Sequence, residues 1–559
     1  MALPRLRAPL TALLLLALGC QAPAPAVPVA PTATSAPAPK PAVSASPAAS
    51  PAASPAASPA ASPAASPAAS PAAAPSPRAA AAPASGQLTI DLDADPESLD
   101  PYLSYQFAGL SVHHNIFDYL LERDGDGRLV PGLAESWRVV DDHTLELKLR
   151  RGVTFHNGED FTAESVQVSA QRILDPALNS GVRTRFTSIQ DIKVTDPYTV
   201  QLALSKPDPS LLDSLSNQMA MLPPKYTRDA GNAGIAQRPI GTGPYKFVEW
   251  RKDDHLTLEA NDAYWDGSPK GKPRARTVVF RPVPSAGTRV ADLRSGQADL
   301  VANLTADQAR ELQSPLRLER ADIAGNQYVF FNTKLPDTPL QDRRVRQALN
   351  YAVDRQAIVQ NLLGGFVQPL TQAVGPLTSG YDASLTGYPY DQQRARQLLA
   401  EAGQGAGFNL TLDVTQDGPS DVVQAVAAQL GQVGVRVNVQ TMDVGAFNDR
   451  WVAHNLDGLF FVRWNNFADP GTLALLASCD GFLSFFCSPT ADPLLKQGES
   501  TLDQAVRSRA YQQGLRALND DPFAIYLSTL SVLYGVGGRV TSWKAGASGY
   551  LYATEAVLR

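Results

Sequence analysis

From Pro47 to Pro75 a proline returns at every fourth residue, mostly in the unit Ala-Ala-Ser-Pro. Each proline fixes φ and removes a backbone donor, so a chain punctuated this densely sustains neither helix nor sheet. Its other residues are too small to bury much apolar surface. Residues 21–87 are therefore expected to form a semi-extended, disordered Ala/Pro/Ser linker. Of the 559 residues, folding falls to the roughly 470 that follow, too many for one core, and two or three domains are expected. Residues 1–87 hold no Asp or Glu and only Arg5, Arg7, Lys40 and Arg78. The rest therefore carries 44 Lys+Arg against 54 Asp+Glu, a net charge of −10. An acidic body argues against nucleic acid and against a basic membrane-binding face.

The linker follows an address. Arg5 and Arg7 precede the apolar run Leu10–Leu18, then Gly19 and Cys20. A basic start, a short apolar run and a small residue before the cut describe a secretory signal over residues 1–20. The run is well short of the ~20 residues that span a bilayer. Gly19-Cys20 in this place resembles a bacterial lipobox, although Ala17 and Leu18 depart from its usual residues. The resemblance implies acylation of Cys20, and hence a protein exported and lipid-anchored to the outer face of the cytoplasmic membrane. The alternative is an ordinary signal that contains a cysteine. The remaining cysteines, Cys479 and Cys487, lie close together, and in an exported chain they read as one short disulfide or as two buried thiols.

Beyond the linker the hydrophobic period alternates between two and 3.6. Leu88, Ile90 and Leu92 alternate with polar residues, as do Leu145, Leu147 and Leu149, predicting strands. Gly241-Thr-Gly-Pro-Tyr-Lys-Phe247 leads into a strand pair through Leu256 and Leu258, and Gln327–Asn332 predicts a buried strand. Thr162 caps a helix with Val166, Ala170, Ile173 and Leu174 on its apolar face, ended by Pro176. Asp342 caps another with Val345, Ala348, Leu349, Ala352 and Val353 inward. A helix from Asp354 is expected to run to Gly364-Gly365, and one from Gln392 to Ala402 ends at Gly403. The fold class is α/β or α+β.

Several segments are more specific: Pro96-Glu-Ser-Leu-Asp-Pro101, Leu133-Ala-Glu-Ser-Trp137, Phe155-His-Asn-Gly-Glu-Asp-Phe-Thr-Ala-Glu-Ser-Val166 and Gly241-Thr-Gly-Pro-Tyr245. Asn332, Asp342-Arg-Arg-Val-Arg-Gln-Ala-Leu349 and Asp354-Arg355 follow in order. Together they resemble the successive signatures of the family 5 solute-binding proteins, the receptors of peptide, nickel and related ABC importers, over residues 88 to 559. The resemblance implies an α/β two-lobed periplasmic-binding-protein fold of class II type, with an extra subdomain in the first lobe. Lobe 1 would cover 88–325 with the subdomain at about 132–240, and lobe 2 would cover 326–532. Residues 533–559, with Trp543 and Tyr550, would return to lobe 1. It further implies a monomer that closes on a small solute, foremost an oligopeptide, and presents it to permease and ATPase subunits. A sugar, metal chelate or opine-like compound is the alternative.

The ligand is expected beside Leu459-Phe-Phe-Val-Arg-Trp-Asn-Asn-Phe-Ala-Asp-Pro470, where a buried strand runs into Trp464 and a polar turn. Trp464, Asn465, Asn466 and Asp469 are the candidate contacts, with Tyr105, Gln106 and Phe107 from the first lobe. The alternative for Trp464 and Phe467 is plain interface core. Peptide-binding relatives carry an Asp four residues before the proline, which pairs with the ligand α-ammonium. Here that position is Asn466, which leaves Asp469 as a substitute or a ligand without the ammonium. Relatives also carry a disulfide where Cys479 and Cys487 stand.

The rival class is a secreted hydrolase. The sequence has no Gly-x-Ser-x-Gly elbow, no His-Glu-x-x-His motif and no phosphate-binding Gly-x-x-x-x-Gly-Lys-Ser/Thr loop. His113 and His114 are adjacent, so they point to different sides of any regular element and do not converge on one ion. They are expected as ordinary polar residues at a helix start. No catalytic residue, metal site or cofactor is expected.

Overall fold

The computed structural model describes residues 84–125, 127–465 and 468–559. The leader, Cys20, most of the linker and Asn466 lie outside the described residues. Among the described residues, no helix is long and apolar enough to cross a membrane.

One ten-stranded mixed sheet runs through the fold. Its strands lie in the order Val435–Met442, Phe408–Thr415, Leu459–Asn465, Arg317–Phe331, Ala524–Val536, Leu300–Val301, Gln87–Leu92, Thr277–Pro282, His255–Ala260 and Tyr245–Arg251. Two of these are much longer than the rest. Arg317–Phe331 and Ala524–Val536 pair antiparallel from Arg317 opposite Val536 to Phe330 opposite Ala524. One end of the pair (Ala321, Tyr534, Val536) belongs to a core built from residues 88–321 and 534–556. At the other end, alternation splits the side chains between two further cores, one on each face of the sheet. Tyr328, Phe330, Phe460 and Tyr526 enter one, and Val329, Phe331, Leu459, Phe461 and Ile525 enter the other. Burial on both faces is why these strands read as continuous apolar runs instead of alternating ones. Halfway along, the register shifts between Ile323 and Asn326 and again at Gln327–Tyr328. Such irregularities bend a strand and re-aim its side chains.

A separate four-stranded antiparallel sheet, ordered Ala134–Asp141, Thr144–Leu149, Thr199–Leu204 and Ile189–Asp196, packs into the first core with the helix Ala163–Leu174. That helix starts where the sequence places it, with the Thr162 N–H donating to Ser165 Oγ at 3.3 Å. Asp342 Oδ1 accepts from Arg344 N at 2.8 Å at the head of the helix Arg343–Tyr351. The helix headed by Asp354 is shorter than expected. It ends at Asn361, because Gly364 and Gly365 both take positive φ (72° and 74°) and the chain has already left the helix at Leu362.

The family-like segments are structural. Asp100 and Arg172 form a buried ion pair, with Nη1 2.9 Å from the carboxylate. Gly241 and Gly243 lie so close to the backbone of Ile116 that a Cβ would meet its carbonyl oxygen at 2.1 and 2.5 Å. Only glycine allows that approach. His113 and His114 depart from expectation. They occupy the last turn of the helix Phe107–Ile116 and are fully buried, since that helix is enclosed nearly all round and has no solvent face to offer them.

Candidate functional site

A cavity of about 970 Å³ opens at the bend of the two long strands. Ile323, Ala324, Gln327 and Leu530–Leu533 form its floor. Tyr105, Gln106 and Phe107 line it from the side of the first core, and Arg463, Trp464, Asn465 and Ala468 from the other. Members of both sequence-predicted groups, Tyr105 to Phe107 and Trp464 with Asn465, which lie far apart in the chain, thus line one void. Tyr105 lies against Gly181, where a Cβ would meet its ring at 2.9 Å. Trp464 is half-buried, and its indole packs edge-on against Trp451 with centroids 5.8 Å apart. The side chain leaves the second core and reaches the cavity, so core packing and lining are both served by one residue.

Asp469 does not line the cavity as expected of it. Its two oxygens take Arg507 Nη2 at 2.7 and 2.8 Å, and Oδ1 also accepts from Gly471 N at 2.8 Å. Arg507 is buried, and its need for a counter-charge draws the carboxylate inward. Cys479 and Cys487 form a disulfide with Cα atoms 4.2 Å apart, beyond the helix Thr472–Ala477 and away from the lining.

Several lining residues carry no local sequence signal. His114 is 1% exposed; its ring stacks on Tyr550 at 4.8 Å and 19°, and it also touches Tyr119 and Tyr552. Burial holds its imidazole neutral, well below the ordinary histidine range, and pushes the Tyr550 phenol up to about 12. Buried side-chain atoms of His114, Asn217, Gln218 and Gln327, all at the cavity, have no hydrogen-bond partner. Buried polar groups are seldom left unpaired, so a cluster of them on a cavity wall marks where a polar ligand or its waters belong. Five charged residues line the void: Asp93, Arg123, Asp213, Arg185 and Arg463. Arg123 is engaged by Asp213, with Nε 3.2 Å from Oδ1. Asp93 accepts from Asn303 Nδ2 at 2.8 Å. Among the described residues no group of His, Cys, Asp or Glu is arranged to hold a metal ion.

Residues 128–482 match the family model described as bacterial extracellular solute-binding proteins, family 5 Middle. The chain belongs to the family 5 extracellular solute-binding proteins. The family 5 assignment is supported along most of the chain. The glutathione-binding protein GsiB of Pectobacterium atrosepticum is 30% identical over 450 residues, covering 77% of this chain and 86% of that one. Two solved structures share the fold. The periplasmic binding protein DppA of Helicobacter pylori, in complex with the peptide STSA, superposes with a TM-score of 0.71 at 24% identity. It covers 85% of this chain and 98% of its own. AgaA of A. tumefaciens R10 with agropinic acid gives 0.70 at 26% identity, covering 85% and 99%. This family 5 protein is accordingly an extracytoplasmic substrate-binding component of an ABC importer, with the two-lobed architecture of its relatives.

Proposed function

We propose that the protein captures a small peptide or peptide-like solute in the cavity at the bend of the two long strands, closes on it and delivers it to its importer. The observation that carries this is the composition of the lining. Aromatic side chains (Tyr105, Phe107, Trp464, Tyr550) share it with side-chain amides whose oxygens are unpaired (Asn217, Gln218, Gln327). A peptide supplies apolar side chains for the rings and N–H donors for those oxygens, and the volume suits a ligand of a few residues. Residues 88–325 and 326–532 act as the jaws, 533–559 completes the first, and the two long strands act as the hinge. A ligand that touches both jaws stabilises the closed state by its differential affinity. Tethering through an acylated Cys20 and the Pro-rich linker keeps the receptor at high local concentration beside the permease.

Calorimetric titration with free di- to pentapeptides tests the reading. Binding that falls at least roughly tenfold in Trp464→Ala, the loss of one aromatic contact, supports it. Tight binding of an uncharged sugar with no response to peptides overturns it. A second reading, an opine-like conjugate, is favoured by Asn466 standing where peptide-binding relatives carry a carboxylate, and by the agropinic acid bound in AgaA. Membrane attachment is tested separately, by cell fractionation of Cys20→Ala. An unchanged membrane fraction refutes acylation.

A further inference from the structure

The body of the protein is strongly acidic, yet its cavity is not. The charged lining amounts to three arginines and two aspartates, a formal excess of one positive charge. Arg123 and Asp213 neutralise each other, and Asp93 lies within the field of the buried Arg289. Arg185 and Arg463 are different. Neither has a carboxylate within ion-pair distance among the described residues. The Arg463 guanidinium makes one long contact, Nη2 to Asp417 O at 3.4 Å, and that of Arg185 makes no hydrogen bond among the described residues. Arg185 comes from the short 3-10 turn Arg183–Phe186, which packs into the first core. There it and Asp213 both lie close enough to the Tyr550 phenol to act on it electrostatically, although Asp213 gives its ion pair to Arg123. Arg463 comes from the strand Leu459–Asn465 of the other side, opposite Gln327 in register, whose amide oxygen is itself unpaired. Two guanidiniums without an ion pair among the described residues thus line one void from opposite sides of the bend.

A planar guanidinium matches a carboxylate through two parallel N–H···O bonds. We infer that the ligand of this site carries two carboxylates, one held by Arg185 and one by Arg463, so that charge pairing across the cavity joins the two sides. This rests on the proposed function and narrows it to acidic peptides or peptide-like dicarboxylates of net negative charge. An overall acidic surface repels such anions at long range. Discrimination is therefore local to the two arginines and is screened little by salt once the ligand is enclosed.

Three probes titrated calorimetrically into the full mature protein test this: glutathione (a tripeptide with two carboxylates), trialanine (one carboxylate) and glutarate (two carboxylates, no peptide bond). The expected result is that glutathione binds at least roughly tenfold tighter than trialanine, the size of one charge-assisted pair. Arg185→Gln and Arg463→Gln should each erase that preference, weakening glutathione at least roughly tenfold more than trialanine. Thermal melts confirm that the variants fold, and a conservative Arg463→Lys restores part of the preference. Trialanine binding as tightly as glutathione, or a preference that survives both substitutions, overturns the inference and leaves the peptide-binding function standing. Arginine-dependent binding of glutarate without binding of either peptide supports the dicarboxylate class and overturns the peptide reading. Binding of none of the three overturns both.

Discussion

Lys270 is the most consequential charge in the first core. Its ammonium is buried and has three acceptors for its three protons: Phe117 O at 2.7 Å, Asp118 Oδ1 at 3.0 Å and Glu122 Oε1 at 3.1 Å. Asp118 is further held by Thr242 Oγ1 (3.0 Å), Tyr264 OH (2.9 Å) and Trp265 Nε1 (2.8 Å). Glu122 has less support. Burial pushes its carboxyl up to about 7 against the pull of Lys270. Lys270→Met keeps the volume and removes the charge, leaving two buried carboxylates and an orphaned carbonyl. Removing one partner of a buried pair costs about 3–5 kcal/mol. For a unit of this size that lowers the melting transition of the first core by roughly 6–20 °C. The loss must also depend on pH. Without Lys270 the folded Glu122 holds its proton even more firmly, whereas the unfolded chain releases it above its ordinary value near 4.5. The folded state then binds more protons, and stability falls as pH rises through the folded pKa. Calorimetric scans of wild type and variant at about pH 5.5 and pH 8 should show a deficit that grows toward pH 8. A deficit below about 1 kcal/mol, or one equal at both pH values, refutes the buried-pair account.

Three further outcomes are expected. Reducing Cys479–Cys487, or replacing both with serine, frees a loop closed over a sequence separation of 8. This costs about 2.5 kcal/mol by loop entropy and should lower the transition of the second half without changing ligand affinity, as read by melts with and without reductant. Asp469→Asn should lower thermal stability before it affects binding, because its partner Arg507 loses its counter-charge; a loss of affinity at unchanged melting temperature would restore Asp469 to the site. In an NMR titration, His113 and His156 should stay neutral down to about 4, because burial disfavours their charge, while Glu249 and Asp254 hold His255 above the ordinary value. Below about pH 6.5 the unfolded chain takes up protons that His113 and His156 refuse, so their contribution to stability is complete above that pH and declines toward 4.

The sequence alone determined the local structure, because that is where its signals act. Period-two runs at Leu88–Leu92 and Leu145–Leu149 became strands, and Asp342 and Asp354 became caps. Tight backbone approach at Gly241 and Gly243 explains a motif that lies outside the cavity lining. The sequence also pointed to Trp464, since an aromatic side chain at the end of a buried strand is a local anomaly, and to Tyr105 through its place just after the Leu99-Asp-Pro101 turn. It failed where the answer depends on partners. Asp469 looks like a ligand carboxylate until Arg507, on another helix, is found to occupy it. His113 and His114 look like ordinary polar residues at a helix start until they prove to lie in the last turn of an enclosed helix. Arg185 carries no sequence signal, and Arg463, although it lies in the stretch that the sequence marks, is not singled out there, because what distinguishes a free arginine from a paired one is the absence of a neighbour. Only the tertiary structure decides that: the two long strands bend at their register shift and bring walls from distant parts of the chain around one void, and a charge left unpaired there acquires its meaning from the company it lacks.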